Sequence, residues 1–461
     1  MERPVSLPGL AVLLALAGCT AGEAPSGEPE PPAAAGIGTA AASAETADGS
    51  AKSYYWRGVD REEGRGVAQS YEEAARLYRK AAGMGHAGAQ NALGDLYWWG
   101  RGVERDYAEA VRLFRQAAAQ GHLDARTNLG LAYELGRGVP ENHAEAVRWY
   151  RMAADKDYPR AQVNLGYMYR KGLGVQKDSR EAARLYRLAA DQGYPRGQTN
   201  LGFLYEKGYG VDRDHAEAVR WYRMAAEQGY PRAQVELGDM YRNGLGVAQD
   251  YGMATHWYLR ATDRNYGRAY FRLGYMSRYG VGMAQDLERA VSWYEQAVRR
   301  GHTTAMHNLA HMYETGEGVA RDDAKAVKLL QLAAEEDSAG ALGHMGLRYL
   351  RGEGVSRDLA KALDFLTRAA EKGDLEAQKN LAAMYLSGEG VAADPVAAYR
   401  WLTIALDTEQ DSPPELKRFV DPVLAEAARL RRQAAARLTP AQAAEAERRA
   451  AQWIAAQAGD G

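Results

Sequence analysis

For most of its length the chain alternates two kinds of short amphipathic stretch. In Ala161-Gln-Val-Asn-Leu-Gly-Tyr-Met-Tyr-Arg, Leu165 follows Ala161 by four residues, and Met168 and Tyr169 follow Leu165 by three and four. That spacing lines one side of an α-helix and predicts a first helix, A. In Ala144-Glu-Ala-Val-Arg-Trp-Tyr-Arg-Met-Ala-Ala the apolar positions again recur at helical intervals, which predicts a second helix, B.

The punctuation between these stretches is regular. A Gly-x-Gly pair recurs with its first glycine at 64, 100, 136, 172, 208, 244, 280, 316, 352 and 388, a constant 36 residues apart. Val follows each pair except at Met283. A fixed period of this length marks a stacked repeat architecture. The glycine pair ends helix A by supplying a residue free to take positive φ. Six residues after each first glycine stands Ser70, Asp106, Asn142 or, in the later copies, an Asp from Asp178 to Asp394. These are helix N-cap residues, and they start helix B, which stops at a Gly or Asn such as Gly121, Gly193, Gly229 or Asn265. Two helix-B columns are Ala in all ten copies, for instance Ala146 and Ala153. Small residues there predict close helix contact, with Trp149, Leu185, Trp221, Trp257, Trp293 and Trp401 filling the space between copies. The excess of Tyr 29 and Trp 9 over Phe 5 is thereby assigned mainly to the core.

The pattern A-x-x-x-L-G-x-x-Y-x-x-G-x-G-V followed by D-x-x-x-A-x-x-W/L-Y-x-x-A-A resembles the Sel1-like repeat, a relative of the tetratricopeptide repeat. The resemblance covers residues 53–409 and implies an all-α, right-handed α-solenoid of about ten 36-residue helix-turn-helix units. It departs from the pattern at Ser277 and Met283, and the first helix A reads as truncated, beginning near Tyr54. After Glu409 the period is lost at Ser412-Pro413-Pro414. Two Ala/Arg/Glu-rich helices are expected over 421–436 and 440–456, within a capping segment 410–461.

Composition adds the ends of the chain and excludes some partners. Lys+Arg 58 against Asp+Glu 60, with no long block of one sign, argues against nucleic acid. Arg3, the apolar run from Leu10 to Ala17 and the tetrad Leu16-Ala17-Gly18-Cys19 follow the order of an export signal. They resemble the lipobox of bacterial lipoproteins, which implies a signal peptide over 1–18 and acylation of Cys19, the one cysteine. Thr20 after it implies, by the same resemblance, the periplasmic face of the outer membrane. Residues 19–52, rich in Pro, Ala, Gly, Ser, Thr and Glu, are too poor in large apolar groups to order themselves and are expected to form a tether.

Candidate chemistry is sparse. The glycine pairs follow a helix rather than a strand, unlike a phosphate loop, and no nucleophile stands with a His and an acid at a known spacing. No cofactor is expected. His307, His311 and Glu314 stand at i, i+4 and i+7 on one helix A, so they share a face and form a weak candidate metal site.

Helix A also has positions nine, five and two residues before the glycine that vary between copies. They read Val163, Tyr167, Arg170; Thr199, Phe203, Glu206; Val235, Asp239, Arg242; and Phe271, Tyr275, Arg278. In related solenoids the A helices line the concave side, so the resemblance implies a groove of exposed rings beside Arg and Glu that suits a protein or peptide. The leading expectation is therefore a non-catalytic adaptor of the cell envelope. An accessory lipoprotein of a polysaccharide-export or cell-wall complex is the alternative. A hydrolase of the β-lactamase kind is disfavoured, because the relatives linked to β-lactams carry a Cys pair in each repeat.

Overall fold

The structure is a computed structural model in which residues 49–407 and 417–459 are described. The leader, Cys19 and most of the expected tether lie outside these residues. The described residues form 22 helices and no strand.

Helices A and B alternate throughout. In chain order they are α1 (Ala51–Glu63), α2 (Tyr71–Gly83), α3 (Ala87–Trp99), α4 (Tyr107–Ala119), α5 (Leu123–Leu135), α6 (His143–Ala154), α7 (Pro159–Lys171), α8 (Ser179–Asp191), α9 (Pro195–Lys207), α10 (His215–Glu227) and α11 (Pro231–Asn243). There follow α12 (Tyr251–Thr262), α13 (Gly267–Tyr279), α14 (Leu287–Val298), α15 (Thr303–Thr315), α16 (Asp323–Glu335), α17 (Ala339–Arg351), α18 (Leu359–Glu371), α19 (Leu375–Ser387), α20 (Pro395–Asp407), α21 (Lys417–Ala435) and α22 (Pro440–Gly459). Within two compact units, one ending at Gln249 and one beginning at Asp250, the repeat helices pack on their sequence neighbours, and α21 and α22 both pack on α20.

The boundaries correct two expectations. Helix α1 is not truncated: it has 13 residues and begins at Ala51, where the Ser50 hydroxyl accepts from Ser53 N–H. Helix α21 begins at Lys417, four residues ahead of the Asp421 read from composition.

Every helix B carries its side-chain cap. In α4, Asp106 Oδ1 accepts from Glu109 N–H at 2.9 Å, and in α20 Asp394 accepts from both Val396 and Ala397. Each cap contributes about 1 kcal/mol.

The two glycines of a pair have different duties. Gly316, at φ 77°, closes α15 by donating its N–H to Met312, and nothing lies within 3.7 Å of where its Cβ would be. Gly318, at φ 68°, lies so close to the start of α14 that a Cβ there would meet the carbonyl carbon and oxygen of Leu287 at 2.5 Å. The first glycine ends a helix. The second sets how near one repeat approaches the one before it.

The core between A and B is built on one aromatic column. Tyr78, Phe114, Tyr150, Tyr186, Tyr222, Tyr258 and Tyr294 are at most 1% exposed. The helix-A glycine of the Leu-Gly dipeptide exists because these rings lie on it, as Tyr150 does on Gly130 and Tyr294 on Gly274, where a Cβ would stand 2.6 Å from the ring. At the far end α20 is covered by α21 and α22. Trp401 meets Trp453 edge to face at 6.2 Å, and the Tyr399 hydroxyl donates to Glu447 at 2.9 Å.

Candidate binding face of the A helices

Neighbouring A helices touch through the variable positions, and this changes their character. Val163, Thr199 and Val235 are wholly buried, and Thr199 Oγ1 is turned back to the Pro195 carbonyl at 2.8 Å. Phe271 is 1% exposed and stacks on the His302 ring at 4.6 Å, while Tyr275 and Arg278 are each 4% exposed. Asp239 is also buried. The expected open groove of exposed rings is thus corrected, because side-by-side packing of A helices consumes the surface these rings were assigned to. Tyr167 and Phe203 remain half-buried.

What replaces the open groove is a set of polar seams. In the N-terminal unit the Arg170 guanidinium lies 5.5 Å from the Tyr167 ring centre and 5.7 Å from that of Phe203, so one cation bridges α7 and α9; such contacts contribute about 0.5–2 kcal/mol. Glu206 faces inward and accepts from the buried Tyr222 hydroxyl at 2.8 Å, as Glu134 does from Tyr150 at 2.5 Å. Arg242 stands 3.8 Å from Asp239 on its own helix.

Beside them runs a chain of amides. Asp95 accepts from Asn91 at 3.1 Å and from Asn128 at 3.0 Å, and Asn128 in turn accepts from Arg160 at 2.8 Å. Arg160 also faces Asp124, which takes the Tyr158 hydroxyl bond. Burial, partly offset by the Arg160 charge, pushes the Asp95 carboxyl up to about 7.

In the C-terminal unit the seam is ionic. Glu314 on α15 holds Arg348 of α17 and lies 3.2 Å from His344 Nε2. His344 Nδ1 is 3.3 Å from His307 Nε2. On the other side Arg278 of α13 donates to His311 Nδ1 at 2.8 Å and to Glu317 at 2.8 and 3.1 Å. Burial opposes ionisation of Glu314, but the His344 bond and the Arg348 charge hold its carboxyl at about 2. Burial and the Arg278 charge push His311 down to about 4, and burial beside His344 pushes His307 well below the usual imidazole range.

This arrangement corrects the metal reading. His307, His311 and Glu314 do share a face of α15, but His307 and Glu314 turn to His344 on the next repeat while His311 Nδ1 faces Arg278 on the previous one rather than an open coordination position. Among the described residues no group of three or more His, Cys, Asp or Glu is arranged to hold a metal ion.

The Sel1 repeat model matches ten consecutive segments: 51–86, 87–122, 123–158, 159–194, 195–230, 231–266, 267–302, 303–338, 339–374 and 375–407. The chain belongs to the Sel1 repeat family. Among solved structures it is similar to a protective antigen of uropathogenic Escherichia coli strains displaying an SLR fold, with 30% identity over 88% of this chain and 92% of that chain and a TM-score of 0.47. It is also similar to a Sel1 repeat protein from Oxalobacter formigenes, with 34% identity over 63% of this chain and 84% of that one and a TM-score of 0.45. No curated protein matches it.

Sel1 repeat proteins generally mediate protein–protein interactions. Within this Sel1 array the residues that sequence reasoning missed are the amide chain of Asn91, Asp95 and Asn128, the Tyr-Pro-Arg segment that supplies Arg160, and His344. The recurrence of Tyr-Pro-Arg at 158, 194 and 230 was the available signal. The partner of His307 stands 37 residues away, on the next repeat.

Proposed function

We propose that this Sel1 repeat protein is a non-catalytic adaptor of the bacterial cell envelope, anchored through lipid at Cys19, that binds protein or peptide partners on its helix-A face. The observation that supports it is the contrast between columns. The alanines and aromatic residues that build each repeat barely change, while the helix-A positions give different chemistry along the array. Arg170 is held between two half-buried rings in the N-terminal unit, and the C-terminal unit carries a seam of Arg, His and Glu. Within each unit, a face whose scaffold is constant and whose polar groups differ is suited to recognising a protein or peptide surface.

In vivo cross-linking from the exposed position 207, one helical turn beyond Phe203 on α9, tests this. Defined protein adducts are expected from the intact chain, and fewer from Tyr167→Ala/Phe203→Ala with helicity retained. A folded double variant that captures the same proteins at the same yield overturns the assignment of this face. Metabolic labelling with a palmitate analogue, lost on Cys19→Ala, tests the anchor; an unlabelled chain refutes it.

A further inference from the structure

The B helices present an outer face that the repeat core does not use. Among the described residues seven large apolar side chains are exposed, and three of them, Met152, Leu188 and Met224, stand 36 residues apart on α6, α8 and α10. They are 37%, 38% and 39% exposed. The same column reads Lys80 and Gln116 in the copies before, and Arg260 and Gln296 in the copies after. Stacked repeats set equivalent helices side by side and in one direction, so three successive B helices of the N-terminal unit carry one short apolar row with polar ends.

Each member of the row sits between opposite charges. An exposed arginine stands four residues before it, at Arg148, Arg184 and Arg220, and an exposed acid three residues after it, at Asp155, Asp191 and Glu227. Residues three and four apart are neighbours on one side of a helix, so all three helices read cation, apolar, anion along the same face. The arginines pair back along their own helices with Glu145, Glu181 and Glu217. Arg184 spends Nε and Nη2 on Glu181, which leaves Nη1 for a second carboxylate. Among the described residues Asp155, Asp191 and Glu227 make no ion pair.

Such a face is complementary to itself in one arrangement. A two-fold axis along the apolar row lays each helix antiparallel on its own copy, with Leu188 against Leu188 and Arg184 against Asp191, and likewise on α6 and α10. An axis along the helices would keep them parallel and bring arginine against arginine, which charge complementarity disfavours. An open cleft between α8 and α10, lined by Asp191, Trp221 and Met224 among others, leaves room beside the row for side chains of a second copy.

We propose that the row of Met152, Leu188 and Met224 is a contact between two copies of this chain, their B helices antiparallel and the apolar row flanked by Arg148–Asp155, Arg184–Asp191 and Arg220–Glu227 pairs from one copy to the other. The contact lies on the B helices and does not depend on the reading of the helix-A face.

Sedimentation velocity of the full chain with Cys19→Ser, which removes the one thiol, tests this over a concentration series. A monomer–dimer equilibrium is expected. Leu188→Glu should abolish it with thermal unfolding unchanged, while Leu332→Glu, an equally exposed change in the C-terminal unit, should leave it as it is. Arg184→Asp is expected to weaken dimerisation about three- to ten-fold through its two symmetry-related contacts. Arg184→Asp/Asp191→Arg should restore it, because the exchange rebuilds both pairs with the signs reversed. Orientation is read by disulfide trapping. A mixture of Arg184→Cys and Asp191→Cys chains is expected to cross-link, and Arg184→Cys alone is not, its two copies standing about 12 Å apart along antiparallel helices, beyond the roughly 7 Å that a disulfide spans. A chain that stays monomeric throughout the series, a dimer that survives in folded Leu188→Glu, or an exchange variant no tighter than Arg184→Asp overturns the contact. Trapping of Arg184→Cys alone as efficient as that of the mixture overturns its antiparallel arrangement.

Discussion

A Cβ placed on Gly130 would stand 2.6 Å from Cε1 of Tyr150 and 2.7 Å from its Cδ1, so the face of helix A is cut to the ring of helix B. Where the helix-B residue is Leu330 or Leu402 the helix-A position is Ala310 or Ala382, while Leu366 lies on Gly346, where a Cβ would stand 2.7 Å from its Cγ. Gly130→Ala is expected to destabilise the chain by about 1–3 kcal/mol through overpacking, despite the better helix propensity of alanine. Adding Tyr150→Leu should cost less than the sum of the two single changes. Strictly additive urea midpoints would show that ring and glycine are not coupled.

The division of labour within a Gly-x-Gly pair gives a second expectation. Asn tolerates positive φ, so Gly316→Asn, with open space around it, should cost no more than about 1 kcal/mol. Gly318→Asn drives the same side chain into the backbone of Leu287 and should cost more than about 3 kcal/mol, the upper range for a strained, overpacked site. Equal losses in thermal melts of the two variants would contradict the separate roles.

Three non-glycine residues take positive φ where most helix-B stops use Gly, namely Asp157 at 55°, Asn265 at 57° and Asp337 at 59°. Asp157→Gly should relieve strain and raise stability by about 0.5–1 kcal/mol. Asp337→Gly should bring no gain, because the Asp337 carboxylate bridges Lys372 at 2.6 Å and Arg368 at 3.0 Å. A gain at Asp337 as large as that at Asp157 would show the bridge to be idle.

Acid should loosen the chain. His302, His307 and His311 are all held below the ordinary imidazole value of 6.5 by burial, His302 at about 3 and His311 at about 4. The unfolded chain therefore binds protons that the folded chain refuses, and stability falls as pH drops from about 6.5 toward 4. For His311 alone this amounts to on the order of 3 kcal/mol. Asp95 and Asp374 act in the opposite sense: burial raises each to about 7, and burial raises Glu62 as well, so their contribution is present at low pH and lost as pH rises toward 7. Five histidines, with His86 and His122 also lowered by burial, against three carboxyls predict a lower melting temperature at pH 5 than at pH 7. His307→Gln/His311→Gln should flatten that fall, and Asp374→Asn should steepen it. A wild-type melting temperature independent of pH between 5 and 7 would refute the balance.

The order of helices, their caps and the glycine stops were legible in the residues because they are local events. A cap needs one side-chain oxygen within three residues of its N–H, and a helix ends where one residue can take positive φ. Neither requires knowledge of the rest of the chain. The ten-fold period likewise needs only counting.

The character of the helix-A face was decided by tertiary structure. Tyr167, Phe203 and Tyr275 occupy the same column, yet two are half-buried and one is buried, because exposure depends on what the A helix 36 residues away presents. Periodicity places a residue on a face and cannot say whether the next repeat closes over it. The same holds for His307, His311 and Glu314: their spacing along α15 follows from helix geometry, while their partners Arg278, His344 and Arg348 come from the repeats on either side. Sequence alone fixed which side chains share a stripe. Stacking of the repeats turned that stripe from an open groove into a seam of paired charges.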